Sequence, residues 1–117
     1  MKFRLVEDIN DKTSDIEDEL RIRNKEREDI LNQVSEILQG EDFEETKKLN
    51  GISFNKTINK DEFDLNAQFY IDTTDYNYSA YISIEEKDES TVNFSLKGNF
   101  DNMLDGVSKL IYHLNHI

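Results

Sequence analysis

Apolar and polar residues alternate with a period of two across much of residues 52–98. That is the period at which successive side chains of a strand point to opposite faces of a sheet. Leu65, Ala67, Phe69 and Ile71 share one parity, Tyr76, Tyr78, Ala80, Ile82 and Ile84 share one in the next run, and Val92, Phe94 and Leu96 in the third. Ile52, Phe54 and Ile58 predict a strand before these, entered through the turn signal Asn50-Gly51. The polar stretches 73–75 and 87–90 have hairpin length, and 59–62 reads as a turn. The pattern predicts an antiparallel meander with one apolar and one wetted face.

Two stretches carry helical spacing instead. Residues 13–39 open on Thr13 and Ser14 as capping candidates, with Glu17 in capping-box position, and Gly40 follows as a left-handed C-terminal cap. The apolar stripe of this helix has two halves, Ile16 and Leu20 with Ile22 as a candidate third member, then Ile30, Leu31, Val34, Ile37 and Leu38, with Arg23 and Arg27 between them. A stripe broken in this way is not dry along its whole length, and its exposed part is a candidate seam for a homodimer through residues 13–39. Much of the basic run Arg21, Arg23, Lys25 and Arg27 is matched by acids four residues away, Glu17 for Arg21, Glu19 for Arg23 and Asp29 for Lys25, so it reads as a solvated or salt-bridged helix face. Residues 100–116 predict the closing helix, with Asn99 as cap and a broad stripe of Phe100, Met103, Leu104, Val107, Leu110, Ile111 and Leu114. Gly106 within it suits a close approach to the sheet. Residues 1–9 suggest a short strand pairing with an edge of the meander, and 41–49 a polar connection anchored by Phe43.

Charge changes this picture more than composition does. The 117 residues carry 26 acids against 14 bases, a formal charge of −12. Residues 41–89 hold 13 acids and 5 bases, whereas residues 90–117 hold 2 of each. A field of that sign repels nucleic acid and anionic lipid and attracts basic surfaces. No apolar run approaches the roughly 18 residues of a membrane-spanning helix, and the N-terminal residues do not resemble a secretion signal. With no cysteine in the chain, the expectation is a cytoplasmic protein without disulfides or thiolate metal sites.

The catalytic inventory is short. His113 and His116 are three residues apart near the C-terminal end, without the His-Glu-x-x-His arrangement of a zinc site. The four glycines are isolated, so no phosphate-cradling loop is written, and the acidic clusters lack the glycine of a calcium loop. No cofactor and no enzymatic activity are expected. The tyrosines are the more informative group: alternation sends Tyr70 and Tyr81 away from the core parity, into positions where tyrosine favours binding. Together with Asp72, Asp75, Glu85, Glu86, Asp88 and Glu89 they make a candidate acidic-aromatic face for a basic protein.

The expected architecture is a single α+β domain over residues 1–117. It comprises a mostly antiparallel sheet of four to five strands within about 52–98, a long N-terminal helix and a C-terminal helix on the sheet. The expected function is that of an acidic, non-enzymatic protein-binding module. In its narrowest form it is an inhibitor or nucleic-acid mimic, of the kind mobile genetic elements encode, occupying a basic groove. An adaptor or chaperone-like subunit self-associating through the long helix or a strand edge is the alternative, and a small metal-dependent enzyme the second. Membrane and direct nucleic-acid partners are not expected.

Overall fold

The computed structural model describes residues 21, 22 and 24–117. The expected strand at 1–9, the helix start at 13–20 and Arg23 lie outside the described residues. The chain divides into two compact units, Met1–Asn32 and Gln33–Ile117. Residues 24–40 are helical and are named α1. Within the second unit there follow β1 (Glu44–Lys48), β2 (Gly51–Asn59), β3 (Asp64–Asp72), β4 (Asn77–Glu86), β5 (Glu89–Asn99), a 3-10 turn (Phe100–Asn102) and α2 (Met103–Asn115). The five strands form one antiparallel sheet in the order β1-β2-β3-β4-β5. The architecture is the expected α+β meander.

One face of the sheet makes the core. Phe54 pairs with Phe69, which pairs with Ala80, and the next rank joins Ala67 to Ile82. All five are buried, together with Leu65, Ile71 and Tyr78. The last turns of α1 add Val34 and Leu38, and α2 adds Met103, Val107, Leu110 and Leu114. Burial of the leucine, isoleucine, valine, methionine and phenylalanine side chains among these contributes roughly 1.5–3 kcal/mol each, which is why the period-two parity is enforced here. Lys56 shares the core parity and escapes at its rim: its Nζ donates to the Glu41 carbonyl at 2.7 Å and lies 5.9 Å from the Phe43 ring centroid.

Gly106 has the packing role its position suggests. A Cβ there would stand 2.5 Å from the ring of Tyr78, so the helix backbone rests directly on that ring. The 3-10 turn that leads into α2 is capped by Asn99, the residue expected to cap the closing helix. Asn99 Oδ1 accepts from the Asp101 amide at 3.1 Å, and Asn102 Oδ1 accepts from the Asn99 amide at 3.0 Å.

Five local expectations are corrected. Residues 44–48, read as a connection, are the edge strand β1; all five residues EETKK are polar and only Glu45 is half-buried, so no alternation marks them. Gly40 is still helical, and the left-handed residue is Asp42 at φ 66°. The amide of Asp42 bonds the Gln39 carbonyl and that of Phe43 bonds the Leu38 carbonyl at 2.9 Å, a Schellman closure in which buried Phe43 and Leu38 supply the usual apolar contact. Ile37 and Ile22, counted toward the apolar stripe, are 41% and 59% exposed. Tyr76 leaves the core parity because it closes the β3–β4 turn at φ 56°, with its ring edge-on to Phe100. Val92 leaves it because the β4–β5 register slips between Ile82 and Ser83, making Asn93 a bulge. One extra residue reverses the facing of everything before it.

Candidate interaction surface

The face of the sheet opposite the core is built from the off-parity residues, and the pairing registers fix its rows. One row runs Ser53, Tyr70, Ser79, Lys97; the next Asn55, Gln68, Tyr81, Ser95; the third Thr57, Asn66, Ser83, Val92. In a chain of which 34% of residues are charged, these twelve positions on β2 to β5 hold one charge, Lys97, and β1 extends the first two rows with Thr46 and the charged Glu44. Asn55 Nδ2 and Gln68 Nε2 both donate to Ser53 Oγ, at 2.8 and 3.1 Å, and Thr57 Oγ1 donates to Asn66 Oδ1 at 2.8 Å. The amides are thereby pinned before any ligand arrives, which lowers the entropy that binding must remove.

Tyr70 and Tyr81 lie on this face, as the alternation predicts. They are diagonal neighbours, since Tyr70 pairs with Ser79 and Tyr81 with Gln68, and such diagonals stand about 7–8 Å apart. Tyr70 is half-buried over Gly51, whose missing Cβ makes room for its hydroxyl, and Lys48 Nζ lies 5.9 Å from its ring centroid. Tyr81 is 37% exposed and Val92 is 62% exposed. The bulge carries Val92 onto this face, so Tyr70, Tyr81 and Val92 form an apolar diagonal across three strands, bedded in uncharged polar groups.

The acids of residues 61–89 divide between the two ends of the sheet. Asp64 and Glu85 are register partners, and the adjoining turns add Asp61, Glu62, Glu86, Asp88 and Glu89. Against those seven acids the same turns carry Lys60 and Lys87. Asp72 and Asp75 lie at the other end. Asp72, paired with Asn77 at the far end of β4 from Glu85, is roughly 25 Å from it at about 3.3 Å per residue. Asp72 also shapes the β3–β4 turn, where its Oδ1 accepts from the amides of Thr74 and Asp75 at 2.8 and 3.3 Å. The structure therefore joins Glu85, Glu86, Asp88 and Glu89 to each other, places the tyrosines between the ends, and separates Asp72 and Asp75 from the hairpin acids.

The histidines are engaged with aromatic rings. His113 lies over Phe94 at 4.4 Å between centroids, and His116 stacks on Tyr112 at 4.0 Å while its Nδ1–H donates to the Tyr112 carbonyl at 2.6 Å. Among the described residues no group of three or more histidines and acids is placed to hold a metal ion. No helix among them is long and apolar enough to cross a membrane.

Two features escape an alternation reading of the core. The uncharged ladder of serine, threonine, asparagine and glutamine was written in the off-core positions 53–57, 66–68, 79–83 and 95, and attention to which polar residues lack charge would have found it. The second is a cleft of about 490 Å³ between β5 and α2, lined by Phe94, Ser108, Lys109, Tyr112 and His113. Comparison with known protein families, with curated protein sequences and with solved structures finds no match.

Proposed function

We propose that this chain is a non-enzymatic protein-binding module that docks through its open sheet face, with the acidic hairpin end meeting a basic rim on the partner. The observation that carries this reading is the chemistry of the face. Protein interfaces are enriched in tyrosine and depleted of lysine, glutamate and aspartate at their centre, and the Tyr70–Tyr81–Val92 diagonal stands in a field of uncharged, pre-bonded polar groups. The seven acids at one end then supply steering and orientation.

The test starts from capture of partners out of the source lysate by wild-type chain and by Tyr81→Ala, compared by mass spectrometry. A purified partner should lose about tenfold or more in affinity with Tyr81→Ala, chiefly through the off-rate. Reversing Glu85, Glu86, Asp88 and Glu89 to lysine should slow the on-rate and flatten its salt dependence. Binding indifferent to Tyr70→Ala and Tyr81→Ala would overturn the assignment of the face. The excess of acids at the hairpin end favours a narrower second reading, occupation of a nucleic-acid groove, and oligonucleotide competition for the partner decides it.

A further inference from the structure

The two edges of the sheet differ in kind. β1 is five residues long and every one is polar, with Glu44, Glu45, Lys47 and Lys48 charged, a composition that discourages strand addition. β5 is eleven residues long, and between Ser90 and Asn99 its one charge is Lys97. Among the described residues nothing pairs with its outer edge. Apolar surface flanks that edge on both sides of the sheet: Val92 on the open face, and on the helix side Phe94 with Tyr112, which is 63% exposed. The cleft at Phe94, Tyr112 and His113 continues into a second of about 270 Å³ that reaches Ile117. A partner covering only one face would leave half of this surface in water.

We propose that the β5 edge is a self-association surface, on which β5 of a second copy adds antiparallel to make a two-fold dimer with a continuous ten-stranded sheet. The bulge and the charges select this occupant. Because Asn93 reverses the facing, residues 94–98 put even numbers on the helix side and residues 89–92 put odd ones there. A two-fold axis between Asn93 and Phe94 therefore pairs Ser95 with Val92 of the second copy, Leu96 with Thr91, Lys97 with Ser90 and Gly98 with Glu89, each pair sharing a face. The same register sets Lys97 opposite Ser90 of the second copy and diagonal to its Asp88 on the open face, at both ends of the ribbon. A parallel pairing would instead set acids against acids. The pairing draws on the one neutral part of a chain whose net charge is −12, and its axis, perpendicular to the sheet, sets the two α2 helices side by side over Tyr112 and His113. This inference stands independently of the open-face reading, since it requires no other protein.

The experiment is sedimentation equilibrium of the full chain from micromolar to millimolar concentration, with thermal melts as the check on folding. The expected result is a monomer–dimer equilibrium that Tyr112→Glu and Lys97→Glu each weaken by about tenfold without abolishing the cooperative melt. Adding Asp88→Lys to Lys97→Glu should restore it. The native chain has no cysteine, so the register is directly testable: oxidising a mixture of Val92→Cys and Ser95→Cys chains should give cross-linked heterodimer in excess of either chain alone. A monomer at every concentration, a dimer indifferent to both Tyr112→Glu and Lys97→Glu, or cross-linking without preference for the mixture would overturn the proposal.

Discussion

Replacing Gly106 with alanine sets two effects of known size against each other. Helix propensity alone favours alanine over glycine by about 1 kcal/mol in a helix interior. The added methyl would, however, stand 2.5 Å from Cε2, Cζ and the hydroxyl oxygen of Tyr78. That ring has little freedom to yield. It is stacked on Phe69 at 5.2 Å and 13°, and a Cβ at Gly98 would meet the same ring at 2.5 Å. Forcing a methyl into such a site costs about 1–3 kcal/mol, so Gly106→Ala should lose up to about 2 kcal/mol net of the propensity gain. Urea unfolding followed by far-ultraviolet circular dichroism measures it. The control is the same substitution in a Tyr78→Leu background, where the distal ring atoms are gone and alanine should stabilise by its propensity. A gain in stability in the wild-type background would refute the close contact of α2 with Tyr78, and a loss of equal size in both would refute its cause.

The other predictions use the same assay. Asp42→Gly should stabilise by about 0.5–1 kcal/mol, because φ 66° suits glycine better than aspartate; Gly40→Ala should gain a similar amount, since a methyl there meets nothing within 4 Å and the residue is helical. Val34→Asp should abolish the cooperative melt by burying an unpaired carboxylate, whereas Ile37→Asp, at a position 41% exposed, should cost under about 1 kcal/mol. Burial first, and the Asp105 carboxylate second, hold the Tyr78 phenol above its ordinary pKa of 10.0, with Lys109 partly offsetting them. The folded state then keeps that proton where the unfolded state loses it, so stability should fall as pH rises above 10, and Tyr78→Phe should remove that part of the loss.

The parts of the fold legible in the sequence are those where one side of an element is buried. Leu65 to Ile71 alternate because a slip by one residue would put four apolar side chains in water. β1 was illegible for the opposite reason: its residues are mostly exposed and its ladder to β2 is made by the backbone, which leaves no trace in side-chain chemistry. The bulge at Asn93 was illegible because apolar residues on both sides of it continue the same spacing, and only the pairing with Ile82 and Ser83 shows that Val92 and Phe94 face opposite ways. Lys56 shares the core parity of β2 and is a cation at the C-terminal end of α1, where carbonyl groups favour it.

The candidate surface was half legible for a related reason. Parity is a property of single strands, so it placed Tyr70 and Tyr81 on the open face without knowledge of the pairing. Charge totals are a property of segments, and a meander does not keep a segment together. Each strand carries the chain across the sheet, so the acids of residues 61–89 alternate between its ends: Asp61, Glu62 and Asp64 at one, Asp72 and Asp75 at the other, and Glu85 to Glu89 back at the first, while Glu44 and Glu45 sit on the β1 edge beside Asn55 and Phe54. The charge of that segment is thus not a uniformly acidic face but an acidic end beside an uncharged middle. A field shaped in this way discriminates orientation more than it adds attraction. A partner with an evenly basic groove would gain at one end only, whereas one with a basic rim around an uncharged floor would match both parts, with Tyr81 as the anchor on that floor.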